Sequence, residues 1–168
     1  MSERPSLQEL YSPKGECFGC GPANAKGLRI RSLAPSAPEP LGAADPHGSG
    51  EVTCEWKPEP HHLAFPGVVN GGICGALLDC HSNWTAAYHL MKRAGADVPP
   101  CTVTAEFAVT LKRPTPLDAT LHLAAHVVEI SDDRATIEAT LTANGKVTAT
   151  CRGLFVAVKE GHPAFHRW

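Results

Sequence analysis

The sequence predicts an α+β domain in which an antiparallel sheet of about six strands wraps around one long central helix. Three observations carry this. Residues 70–93 hold a single apolar series, Ile73, Leu77, Cys80, Trp84, Tyr88 and Met91, stepping by three and four. The chain after it is a run of alternating, β-rich segments separated by turn residues. One sheet and one helix bury the most surface when the sheet curls around the helix.

The elements follow in order. Residues 1–16 read as a flexible N-terminal arm with a short helix around Leu7–Tyr11. Cys17–Gly27 is turn-rich, and GLRIRSLAP, with Leu28, Ile30 and Leu33, reads as a first strand. Ser36–Gly50 is a Pro/Gly/Ala loop, and EVTCEW (51–56) alternates Val52, Cys54 and Trp56 as a strand. A proline-rich loop, Pro58–Gly67, leads to the helix. Asn70 is a good N-cap, and Gly95 after Lys92 and Arg93 is a natural stop. Four strands are then expected at 101–112, 117–130, 134–143 and 146–160, the last two joined by the hairpin dipeptide Asn144-Gly145. The domain is expected over 17–160, with 161–168 an irregular tail.

Composition narrows the function classes. With 43% hydrophobic and 19% charged residues, the 168-residue chain can build a core. A formal net charge of -2 gives no reason to expect nucleic acid or an anionic membrane surface. No 18-residue apolar run and no apolar leader segment are present, and the seven cysteines are an odd number. A cytoplasmic protein with free thiols is expected.

Asp79 stands out. It sits mid-helix with Gly72, Gly75, Ala76, Ser82, Asn83 and Ala86 within about 60° of it on the helical wheel. Small residues let a ligand or a second backbone approach, and the glycines cost helix stability, about 1 kcal/mol each relative to Ala. Gly71 and Gly72 lie at the helix N-terminus, where free N–H groups and the macrodipole favour developing negative charge. An acid and an oxyanion-binding N–H on one helix are the parts for ester or thioester hydrolysis. The competing reading is a solvated carboxylate on an ordinary packing stripe.

The stretch VVNGGICGALLDC resembles the HGG-x6-D helix motif of hotdog-fold acyl-CoA thioesterases of the phenylacetate-degradation type (PaaI-like). CFGCGPANAKGLRI before it, FPGVVNGG at its start and TVTAEFAVTLKRPTPL after it extend the resemblance over roughly residues 17–160. The resemblance implies that Asp79 is the catalytic nucleophile or general base, that the Gly71 N–H polarises the thioester carbonyl, and that Thr104 orients acid or water. It places Lys112, Arg113 and Pro114 against coenzyme A. Phe65, Gly72 and Asn83 are the other expected substrate contacts. Acyl-CoA is the implied substrate, with no cofactor and no metal, and the sites form between subunits of a dimer or tetramer. The family's His is Asn70 here, which can cap and hydrogen-bond but cannot titrate near neutral pH. Some relatives also carry a polar residue where this chain has Ala64.

Two other functions compete. A dehydratase or hydratase of this fold would use a His at the FPG loop, where His62 is nearest. A non-catalytic acyl-CoA binder would retain the pocket alone. Cys17-x-x-Cys20 lacks a second ligand pair for zinc and reads as small thiols in a turn. His61-His62 read as pocket rim. His81 and Cys80 flank Asp79, but helix neighbours point about 100° apart, so neither pairs with it.

Overall fold

The computed structural model describes residues 4–36 and 50–167. A short helix, α1 (Leu7–Tyr11), precedes strand β1 (Val52–Trp56). The small hairpin β2 (Leu63–Phe65) and β3 (Val68–Val69) leads into the long helix α2 (Gly71–Ala94). Strands β4 (Thr102–Leu111), β5 (Leu121–Ile130), β6 (Arg134–Ala143) and β7 (Lys146–Ala157) follow. The sheet is antiparallel and five-stranded, in the order β1-β5-β6-β7-β4, with α2 packed across one face.

Local chemistry accounts for the helix limits. The Asn70 side chain accepts from the N–H groups of Gly72 and Ile73, and Gly95 closes the far end in the left-handed conformation. Pro66 followed by Gly67 at φ 83° is the pair a type II turn needs, and it folds the β2–β3 hairpin. Asn144 and Gly145 both have positive φ, as a two-residue type I′ hairpin requires. Leu77, Leu78 and Trp84 of α2 are buried with Leu121, Leu123, Ile137, Leu141 and Phe155 from the sheet. The alternation of β5, β6 and β7 delivers the sheet residues to one face.

Two expectations need correction. The segment Gly27–Pro35 is not a strand and contributes one bridge, Leu33 to Thr53, so the sheet has five strands rather than six. Arg29 at φ 48° interrupts the extended run, and the Leu28 and Ile30 N–H groups bond to Phe18 and Gly19 carbonyls instead of a neighbouring strand. Leu28 and Ile30 are buried all the same, which is why their spacing mimicked a strand. Part of the arm expected to be loose is packed down at α1: Ser6 is buried, Leu7 joins the core, and Gln8 is buried against Ser32.

Strand β4 carries an irregularity that bears on function. Its pairing with β7 shifts between Thr104 and Glu106, leaving Ala105 as an extra residue. A bulge reverses the inward alternation, so Thr104 faces the helix while Val109 further along reaches the core. Gly153 on β7 makes room, since a Cβ there would lie 2.8 Å from the Phe155 ring.

Candidate active site

Asp79 lies in the middle of α2, half-buried, under strand β4. Thr104 donates its hydroxyl to Asp79 Oδ1 at 2.7 Å. Burial pushes the Asp79 carboxyl above the ordinary aspartate range; the Thr104 hydroxyl opposes the rise, negative charge at Cys17 adds to it and Arg167 counters it. The site thus holds a carboxylate that is desolvated yet supplied with one well-aimed donor. Such a group is suited to attack or to accept a proton near neutral pH.

The open half of the small-residue stripe leads from Asp79 toward the helix N-terminus. A Cβ on Gly75 would meet nothing within 4 Å. Beyond Asp79 the stripe closes: Ser82, Asn83 and Ala86 are buried. Asn83 therefore departs from its expected place among substrate contacts. Its amide donates to the Thr102 carbonyl at 3.4 Å and its oxygen accepts from the Thr102 hydroxyl.

At the helix start, the Asn70 oxygen takes the Gly72 N–H at 2.8 Å and the Ile73 N–H at 3.3 Å. The Gly71 N–H has no acceptor among the described residues, and it is the first donor of the helix. Gly72, by contrast, is a capped position whose N–H is already engaged. Gly71 opens into a cavity of about 420 Å³ lined also by Phe65, Leu111, Lys112, Arg113 and Pro114. Four expected substrate contacts thus share one cavity with Gly71. The β2–β3 hairpin brings Phe65 there, held by the Val69 N–H to Thr115 and the Leu117 N–H to Gly67.

The histidines sort differently. His62 is buried against Trp56, its Nδ1 accepting the Glu59 N–H at 2.9 Å and its carbonyl accepting from Asn70. It is a structural strut rather than a pocket rim; His61 is exposed. His81 is wholly buried, with both ring nitrogens engaged: Nδ1 with Ser32 Oγ at 2.9 Å and Nε2 with the Val52 carbonyl at 3.0 Å. Burial holds its pKa down to about 4, so it is a neutral core group with no link to Asp79. Two neighbours of Asp79 had no signal in the sequence linking them to it: Cys17, from the CxxC turn, and Arg167, from the tail.

The thioesterase superfamily model matches residues 66–152, which is more than half of the chain and spans α2 with most of the sheet. The chain belongs to the thioesterase superfamily. Its sheet wrapped on one helix is the hotdog fold, as the sequence led us to expect. A thioesterase superfamily protein from Shewanella loihica PV-4 is similar at 27% identity, over 65% of this chain and 84% of that one, with a TM-score of 0.54. Zebra fish thioesterase superfamily member 2 shares the fold at 21% identity, over 82% and 90% of the two chains, with a TM-score of 0.57. So does a hypothetical thioesterase from Streptococcus pneumoniae TIGR4 with coenzyme A, at 17% identity over 65% and 79%, with a TM-score of 0.56. No protein among the curated sequences matches. No helix among the described residues is long and apolar enough to cross a membrane.

Proposed function

We propose that the protein hydrolyses an acyl-CoA, or a related acyl thioester, to the free acid and thiol, as a PaaI-type member of its superfamily. The observation that carries this is the 2.7 Å hydrogen bond from Thr104 to a half-buried Asp79 carboxyl on a stripe open to a ligand. In this mechanism the thioester oxygen sits at the Gly71 N–H, assisted by the helix dipole. Asp79 either takes a proton from water, whose oxygen attacks the carbonyl carbon, or attacks that carbon itself to form an anhydride that water then opens. The tetrahedral oxyanion collapses, the C–S bond breaks and the thiolate leaves. Thr104 holds the carboxylate in line, and Phe65, Lys112, Arg113 and Pro114 meet the coenzyme A portion at the cavity mouth.

Two copies of the chain complete the site. Gly71 and Asp79 are eight residues apart on one helix, about 12 Å, too far for both to reach one carbonyl. A partner's helix, facing this one, supplies the missing half. Strand β4 is an edge of the sheet, and Phe65, Phe107 and Leu111 expose apolar surface around it. A dimer built through β4, alone or doubled into a tetramer, fits that surface.

Asn70 supports the same reading. Its oxygen is engaged by two helix N–H groups, a positioning role that needs no titration. The burial of His62 weighs against a dehydratase, which would need a His free at the FPG loop. The test is thiol release from short, medium, long and aromatic acyl-CoAs by wild type and Asp79→Asn. Turnover of at least one, lost by about 100-fold or more in the variant, is expected. Turnover unchanged in Asp79→Asn would sink the mechanism, and none in wild type would favour a binder.

A further inference from the structure

Three cysteine sulfurs meet beside α2. Cys17 and Cys20 come from the turn that precedes residues 27–35, and Cys80 comes from the helix. Their Sγ atoms all lie within 4.8 Å of one another, and Cys17 and Cys80, both free thiols, are 3.7 Å apart. The sequence offered only the CxxC pair, and helical spacing assigned Cys80 to the core.

The turn is shaped around these sulfurs. The Gly21 N–H closes it onto the Cys17 carbonyl at 2.8 Å. A Cβ on Gly19 would lie 2.3 Å from Cys80 Sγ, so only glycine lets the turn close on that thiol. A Cβ on Gly21 would lie 2.4 Å from the Cys17 nitrogen. On the helix side, the Trp84 indole N–H donates to Cys20 Sγ at 3.3 Å. Such outer donors hold and tune metal-binding thiolates.

The spacing matches a cation. Tetrahedral zinc with bonds of about 2.3 Å sets its sulfur ligands about 3.8 Å apart. The Cys17–Cys80 separation is already 3.7 Å. A cavity of about 330 Å³, lined by Glu16, Cys17, Cys20, Trp84 and Arg167, borders the cluster. We propose that Cys17, Cys20 and Cys80 bind one zinc-class cation through three thiolates, with the fourth position facing that cavity. Soft thiolate donors select such ions over magnesium or calcium. Binding exchanges thiol protons for metal–sulfur bonds with no change of oxidation state. The ion clamps the 17–21 turn to the helix one residue from Asp79, a positional rather than a hydrolytic role.

The experiment uses the full chain, reduced, stripped with chelator and titrated with Co²⁺ and then Zn²⁺. Expected are thiolate-to-cobalt charge-transfer absorption saturating at one ion per chain, tetrahedral visible bands, and loss of both on adding Zn²⁺. Cys17→Ser, at an exposed position, should weaken binding by at least about tenfold, the lower end of what losing even an outer partner costs. Cys101→Ser, outside the cluster, should titrate like wild type, and circular dichroism would establish that each variant is folded. Zn²⁺ should raise the melting temperature of wild type but not of Cys17→Ser. Absence of the charge-transfer band in wild type overturns the proposal, as does a Cys17→Ser titration matching wild type. Neither readout depends on thioester hydrolysis.

Discussion

Thr104→Val removes one oxygen and almost no volume. Its hydroxyl donates to Asp79 Oδ1 at 2.7 Å, in a site where the carboxyl is already pushed up by burial. A hydrogen bond to a charged group is worth about 1.5–3 kcal/mol net. If that bond supports Asp79 in the transition state, kcat/KM at neutral pH should fall roughly 10- to 150-fold. The sign of the pH effect follows separately. Thr104 lowers the Asp79 pKa, so its loss moves the carboxyl further up, and the ascending limb of kcat/KM should shift to higher pH. The assay is thiol release across a pH series for wild type, Thr104→Val and Thr104→Ser, with Ser expected to recover most of the loss. If Thr104 only tunes protonation, the Val variant regains wild-type rate at high pH; if it also orients the acid, a deficit persists there. A folded Thr104→Val within about twofold of wild type, with an unmoved pH profile, would refute the reasoning.

Other outcomes follow from the same geometry. Gly75→Ala should raise stability by up to about 1 kcal/mol, because a Cβ there meets nothing in its own chain, yet lower kcat/KM if thioester or partner helix occupies the stripe; paired melting and kinetic curves check both. Asn70→Ala should lose about 1 kcal/mol of helix capping and lower the melting temperature by about 2–4 °C. His81 gives an acid-sensitive core: its pKa is held to about 4, below the free value of 6.5, so its contribution is intact above the free pKa and is lost as pH falls from 6.5 toward 4. Chemical denaturation at several pH values should show unfolding free energy declining by up to about 1.4 kcal/mol per unit in that window, and a flat profile would contradict the burial of a neutral ring.

Much of the fold was legible because its signals are local. Asn70 caps the helix with its own side chain, Gly95 ends it through its own φ, and Asn144-Gly145 turn within four residues. Strands β5 to β7 declared themselves by alternation, which needs only neighbours in sequence. Alternation also misled. Leu28 and Ile30 are buried in a loop, and burial rather than sheet pairing produced their pattern. The open stripe around Asp79 followed from helix periodicity, but Asn83 on the same stripe lies where β4 covers it, and no local signal distinguishes the two ends.

By itself, then, the sequence determined most of the elements, their order, the placing of one carboxylate on a stripe of small residues, and the family pattern that joins them. These depend on backbone preferences and on a repeat of 3.6 or 2 residues. Tertiary structure alone decided which distant groups share that carboxylate's surroundings. The bulge at Ala105 aims Thr104 at it, the tail brings Arg167 near it, and the 17–21 turn carries two thiols to Cys80. Such meetings are set by how the sheet curls and where loops cross the helix, and contacts made across 25 or 63 residues leave no periodic trace in the chain.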